Sequence, residues 1–283
     1  MTRVGIIAGA GHLPLHIADE AACRGYRVVA IAFPGFTDPA MESRVNEIFW
    51  LKLGQLDKAI SILKSRDIER VVMAGKIEKS NLMRLWNLKP DRRALRMVRS
   101  LEDWRDDTVL EAIADELLKD GIVVDEITSW ASRLMAPLGV LTRKAPSDQQ
   151  WKDIEFGRRM AQGVGDLDIG QTVVVKNAAV LVVEAIEGTD RAIRRTGDLG
   201  IHNGVVVKMA KPRQDMRFDV PGVGPATVDS MIEAKAKVLA VEAGKTIITS
   251  FGETRLKADK ANISVVGIAA YGPMSTMRFS DNH

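Results

Sequence analysis

Short apolar runs and helically spaced stripes alternate along the first half of this 283-residue chain. Residues 4–8 (VGIIA) form an apolar run ending in glycines, the pattern of a buried strand entering a turn. Leu15, Ile17, Ala18, Ala21 and Ala22 then recur at helical spacing across 13–24, and Gly25 stops the helix. A second strand is predicted over 27–33, closed by Pro34-Gly35. A helix follows over 55–65, with Leu56, Ala59, Ile60 and Leu63 on one stripe. Residues 70–74 read as a third strand ending at Gly75-Lys76, 108–119 as a helix and 122–124 as a further strand. Strands alternating with helices in this way predict a parallel, Rossmann-like α/β layer.

The second half is also α/β but less regular. Ser147-Asp-Gln-Gln150 fits a capping box for a helix running to about Gln162. Strands are predicted over 172–175, 179–183, 205–209, 245–249 and 264–269. Helices are predicted over 189–195 and 227–243, the latter through Met231, Ala234, Val238 and Val241. Pro137, Gly139, Pro146 and Ser147 mark a linker. The predicted organisation is an N-terminal Rossmann-like parallel-sheet domain over 1–135, a linker over 136–148 and a C-terminal catalytic α/β domain over 149–283, with a polar tail from Pro273.

Composition narrows the class. A hydrophobic fraction of 46% with 27% charged residues is that of a soluble globular protein. A net charge of +3 does not make the whole molecule a polyanion binder. The lone Cys23 excludes an internal disulfide and fits a reducing compartment. The apolar N-terminus is broken by Gly9, Gly11, His12 and Pro14, and no apolar run approaches the roughly 20 residues that span a bilayer. The expectation is a cytoplasmic protein, with peripheral membrane contact left open.

Gly9-Ala10-Gly11-His12-Leu13-Pro14 approximates a dinucleotide fingerprint, with Pro14 replacing the third glycine. Proline is tolerated in the first helical turn, but the acid that should end the second strand is absent: Ala32, Phe33 and Pro34 stand there. This favours a phosphate or sugar over a nicotinamide cofactor, against the plain alternative of a ligand-free βα turn. Gly75-Lys76 sits at a strand C-terminus, where open α/β sheets bind ligands; a surface lysine on a turn is the equal alternative. Residues 76–105 carry nine cations against four acids, a local charge of +5, interleaved with Leu82, Trp86, Met97 and Trp104. A solvated helical hairpin is the plain reading and an amphipathic lipid- or acyl-binding patch the sharper one. Nucleic acid is disfavoured, because no recognition motif accompanies the charge. Asp106-Asp107 reads either as a metal-binding pair or as a helix N-cap for 108 onward, with a cap favoured for one of the two.

The densest chemistry lies between 184 and 228. Glu184, Glu187, Asp190, Asp215 and Asp219 supply carboxylates, Lys208, Lys211, Arg213 and Arg217 supply cations, and Gly222 and Gly224 bare backbone amides. Carboxylates can hold a divalent metal; cations and amides can hold phosphate. The mixture predicts metal-assisted chemistry on a phosphate ester. No G-x-S-x-G elbow and no P-loop is present, and the four histidines lack zinc-site spacing. Oxygen ligands of this kind favour Mg2+ or Mn2+.

In order along the chain, GIIAGAGHLP, MAGK at 73–76, DDT at 106–108, LDIGQTVVV at 167–175, VLVVEAIEGTDRAIRR at 180–195 and KMAKPRQDMRFDVPGVG at 208–224 resemble the LpxI-type UDP-2,3-diacylglucosamine pyrophosphatases of lipid A biosynthesis, nearly end to end. The resemblance implies hydrolysis of UDP-2,3-diacylglucosamine to UMP and 2,3-diacylglucosamine 1-phosphate (lipid X), with water attacking the glucosamine-side phosphorus. It implies a divalent metal, usually magnesium, and a homodimer whose site lies between its two domains. On the same analogy Gly11, His12, Leu13, Gly75 and Lys76 would face the sugar phosphate. Asp107, Gln171, Glu187, Gly188 and Thr189 would bind substrate, with Asp190, Lys208, Lys211 and Gln214. Asp215 and Asp219 would be catalytic, and Asp219 and Asp190 would hold the metal.

One departure stands out. The family's catalytic aspartate falls where this chain has Ala226, within Gly224-Pro225-Ala226-Thr227-Val228. A methyl group neither binds a metal nor takes a proton. Three accounts fit: an inactivating exchange at 226, a homologue that uses Asp219 or Asp229 instead, or a shift of this motif against the family's. The intact surroundings favour the first. A competing class is a non-catalytic nucleotide-sugar or lipid binder of the same fold.

Overall fold

The computed structural model describes residues 2–77, 90–101 and 106–269, with the side chains of Asp106 and Asp107 outside the description. Contacts divide the chain into two units: Met1–Ala131 together with Asp215–Asp219, and Ser132–Gln214 together with Val220–His283.

The first unit is built on β1 (Arg3–Ala8), β2 (Arg27–Ala32), β3 (Glu47–Trp50), β4 (Arg70–Ala74) and β5 (Val123–Asp125). Their order is β3-β2-β1-β4-β5 and every pairing is parallel, the Rossmann arrangement that the alternation predicts. Its helices are α1 (Leu13–Cys23), α2 (Leu56–Ser65), α3 (Arg92–Arg99), α4 (Asp106–Lys119) and the short α5 (Ile127–Trp130). Strand residues Val29, Ile31 and Val71 join Ala59, Ile60 and Leu63 of α2 and Ala114 and Leu117 of α4 in one core. The strand β3 escapes the sequence patterns because Glu47 opens it and all four residues are only half-buried.

The second unit holds β6 (Gly139–Val140), β7 (Thr172–Lys176), β8 (Ala179–Val183), β9 (Val205–Lys208), β10 (Gly222–Val223), β11 (Val238–Glu242), β12 (Ile247–Ile248) and β13 (Ser264–Ile268). A six-stranded mixed sheet runs β6-β13-β11-β9-β7-β8, beside a parallel β10-β12 pair. The helices are α6 (Asp148–Asp166), α7 (Thr189–Asp198), α8 (Pro225–Glu233) and α9 (Phe251–Lys260). The pleat sorts alternate residues to opposite faces. Val173, Val175, Val205 and Val207 meet Ile154 and Ala161 of α6. Val174, Val182 and Val206 meet Ile193 of α7, Met231 of α8 and Ala258 of α9.

Two corrections follow. The helix predicted over 227–243 ends at Glu233, and Val238–Glu242 is a fully buried inner strand paired with β9 and β13. Lys235 takes a left-handed φ of 55°, and the N–H of Ala236 reaches back to the Met231 carbonyl, closing the helix. A lysine at that position hid the stop that a glycine would have announced. The segment 136–148, whose prolines suggest a linker, contributes β6 to the sheet edge through Val140 and Gly139.

Candidate functional site

In the first unit, β1 and β4 end side by side. The N–H of Gly9 donates to the Ala74 carbonyl at 2.7 Å, and Ala10 and Lys76 exchange backbone hydrogen bonds at 2.8 and 3.0 Å. Gly11 has a φ of 94° with open space around it, and Gly75 a φ of 89°. His12 is exposed and its Nδ1 lies 4.0 Å from Asp38. Leu13 opens α1 with Pro14 in the first turn. Gly11, His12, Gly75 and Lys76 are therefore exposed residues on adjoining turns at the C-terminal edge of one sheet, the edge that binds ligands in such folds. Asp107 lies at the start of α4, its side chain outside the described residues.

The basic segment is partly described. Asp91 caps α3 by accepting from the Ala94 N–H at 2.9 Å. Arg93 is tied to Glu116 at 2.6 Å and Asp120 at 2.5 Å, and the Ala94 and Met97 side chains are buried. This part of the segment packs on its own unit. Leu82, Trp86 and Trp104 lie outside the described residues.

Asp215–Asp219 groups with the first unit although the chain on either side belongs to the second. Its Met216 carbonyl accepts the Ile127 N–H at 2.9 Å, and Phe218 packs on the α2/α4 core. Asp215 is gripped by Arg217, with contacts of 2.6 to 3.0 Å, while Arg217 stacks on Phe218 at 4.7 Å. The guanidinium holds the Asp215 carboxyl below its ordinary range. Asp215 is thus engaged in shaping this turn. Asp219 is exposed.

In the second unit, the ends of three adjacent strands bring polar groups into one row. Thr172 and Lys208 are register partners across β7 and β9, and the Glu184 N–H donates to the Thr172 carbonyl at 2.9 Å. By pleat parity these residues share the α7 face with Val174, Val206 and Val182. Lys208 Nζ donates to Thr189 Oγ1 at 2.6 Å, and Thr189 Oγ1 donates to Glu184 Oε1 at 2.9 Å. Thr189 is the first residue of α7 and follows Gly188, whose φ is 81°. Gly170 is required beneath them: a Cβ there would meet the Glu184 carbonyl oxygen at 2.1 Å. Gln171 passes its carbonyl to the Met209 N–H, while its buried Oε1 has no hydrogen-bond partner among the described residues.

The remaining expected residues are placed as follows. Glu187 is held by Arg195 at 2.6 Å and by the Ala185 N–H at 3.1 Å, which makes it a brace of the turn. Asp190 is half-exposed in the first turn of α7. Lys211 pairs with Asp168 at 2.7 Å, and the Gln214 side chain accepts from the Lys211 N–H at 2.9 Å, folding the KPRQ turn and leaving Arg213 exposed. Ala226 is exposed at the second position of α8. Asp229, the nearest acid after it, is tied to Lys257 at 2.8 Å. Glu184 stands in the sequence only as one of five candidate carboxylates; its place at a strand end directly before the GTD turn is what sets it apart.

Among the described residues, no three acids, histidines or cysteines cluster as a ready-made metal site. Magnesium ordinarily uses one or two carboxylates and completes its shell with substrate phosphates and water. The half-exposed Asp190 and the exposed Asp219 fit that donor chemistry.

The fold and these groups define a two-unit α/β protein with a Rossmann-ordered first sheet and a second unit whose strand ends and turns carry acidic and basic side chains. The chain belongs to the LpxI family: the LpxI N-terminal domain matches residues 3–134 and the LpxI C-terminal domain residues 137–266. It is 29% identical over 279 residues to the UDP-2,3-diacylglucosamine pyrophosphatase LpxI of Caulobacter vibrioides, covering 95% of this chain and 98% of that one. Likeness to solved structures is slight. A leucoanthocyanidin reductase–NADPH complex from Vitis vinifera shares 16% identity over 42% of this chain and 47% of that one, with a TM-score of 0.25. Phosphoribosylglycinamide synthetase from Anaerococcus prevotii shares 13% over 69% and 34%, also with a TM-score of 0.25. Neither bears on function.

Proposed function

We propose that the chain hydrolyses the pyrophosphate bond of UDP-2,3-diacylglucosamine, giving UMP and 2,3-diacylglucosamine 1-phosphate. The observation that carries this reading is the end-to-end match to a relative of that name, covering 98% of its length. The exposed Arg213 on the KPRQ turn, with Lys211 beside it, supplies cations for the phosphoryl oxygens. The turns at Gly11 and Gly75-Lys76 offer backbone amides and an ammonium to the sugar phosphate. In the reaction a water oxygen bonds to the glucosamine-side phosphorus, the bridging P–O bond breaks, and the bridging oxygen leaves on UMP. The water's protons pass to solvent and to a carboxylate.

Magnesium or manganese is part of the proposal. Asp190 or Asp219 would supply a carboxylate to the ion, which would neutralise charge on the diphosphate. A homodimer working in the cytoplasm, in peripheral contact with the inner membrane where its lipid substrate resides, is the proposed setting. Among the described residues no helix is long and apolar enough to cross a membrane.

Ala226 bears on rate. Its side chain is exposed on the first turn of α8, where a carboxylate is favoured by the helix N-terminus. The test is UMP release from UDP-2,3-diacylglucosamine by the chain and by Ala226→Asp. Binding of substrate or lipid X without turnover in both would instead favour a non-catalytic binder.

A further inference from the structure

Lys208 poses a conflict. A phosphate ligand needs an open ammonium, yet Lys208 is only 3% exposed. Glu184 is equally enclosed, at 7%. Glu184 Oε2 has no hydrogen-bond partner among the described residues, so Oε1 and its bond from Thr189 hold the carboxylate. An ammonium only donates and a carboxylate only accepts, so the order of donation is fixed: Lys208 to Thr189, Thr189 to Glu184. The hydroxyl therefore connects two buried opposite charges. Buried charges of this kind are tolerated when paired and costly when either partner is removed alone.

What the relay holds is specific. Thr189 is the first residue of α7, and the turn before it depends on the left-handed Gly188. Clamping the Thr189 hydroxyl from β9 and from the end of β8 fixes the start of α7, and with it Asp190.

We propose that Lys208 and Glu184 are positioning residues that act through Thr189 to set the 187–190 turn for a diphosphate ligand, with Lys208 making no contact to that ligand. The proposal rests on the pyrophosphatase reading and deepens it.

The test is calorimetric titration of UDP, the soluble part of the proposed substrate, into the full chain and its variants. Lys208→Met removes the cation that donates to Thr189 and Glu184→Gln the carboxylate that Thr189 donates to, and each should weaken UDP binding at least about tenfold. The double variant removes both charges of the relay together, and its affinity should return to within about threefold of the wild type. Thr189→Ser keeps the hydroxyl and should bind as the wild type, whereas Thr189→Val should weaken binding about tenfold. A double variant as weak as Lys208→Met alone would mean that the ammonium touches the ligand, and overturns the proposal. Single variants that bind like the wild type overturn it equally. If a single variant fails to fold, the double variant still decides. A wild-type chain that does not bind UDP overturns the substrate reading and the relay's role together, which separates that failure from failure of the relay alone.

Discussion

Gly9 and Gly75 meet back to back where β1 and β4 end. A Cβ built on Gly75 would lie 2.7 Å from the Gly9 carbonyl carbon and 2.7 Å from the Ala10 oxygen. The contact lets two turns at the sheet edge share backbone hydrogen bonds, which places Gly11 and Lys76 on neighbouring loops. Gly75→Ala would combine that clash with a left-handed φ of 89°. It should destabilise the protein by about 2–4 kcal/mol. Gly11→Ala has a similar φ but open space, and should cost about 1–2 kcal/mol. Urea unfolding of the two variants checks the order.

Much of this edge is legible in the sequence. Apolar runs ending in Gly9 and Gly75 announce strands entering turns, and the parallel order follows from strand–helix alternation. The second unit is harder to read. Residues 227–243 carry apolar residues at helical spacing throughout, and a buried inner strand such as Val238–Glu242 is itself a continuous apolar run, so periodicity does not separate them. The helix α9 buries only Thr254 and Ala258 and shows no apolar stripe. For the site, the charged motifs could be located but their partners could not. Sequence places Lys208 among phosphate cations; only the cross-strand register of Thr172 and Lys208, with Glu184 beside them, reveals an enclosed relay. Likewise the sequence names Asp215 as a candidate, while its grip by Arg217 two residues on appears only in the structure.

The capping box at Ser147 was fully legible. Its side chain accepts from the Gln150 N–H at 3.3 Å, and Gln150 Oε1 accepts from the Ser147 N–H at 2.9 Å. Ser147→Ala should cost about 1 kcal/mol, read as a lowered thermal midpoint with UDP affinity unchanged.

The Asp215–Arg217 pair predicts a pH dependence. Arg217 lowers the carboxyl pKa in the folded state. The pair's contribution is therefore fully present above the unfolded value of about 4 and is lost as pH falls through the lower folded value. Asp215→Asn should be less stable than the wild type at pH 7 by about 1 kcal/mol or less. The gap should close progressively below about pH 4. Denaturant midpoints at pH 7, 5 and 3 measure it; a gap that widens in acid contradicts the assignment.

Metal removal tests the proposed ion. Exhaustive chelation should abolish UMP release, and added magnesium should restore it. Asp190→Asn should raise the magnesium concentration needed for half-maximal rate. Turnover that persists through chelation would remove the ion from the proposal while leaving the hydrolysis intact.

The most direct measurement of the central claim is UMP release from UDP-2,3-diacylglucosamine with magnesium, by the wild type and by Ala226→Asp. The account predicts UMP and the sugar 1-phosphate as products, with Ala226→Asp faster by roughly a hundredfold or more. No UMP from either protein, under conditions where both are folded, would contradict it.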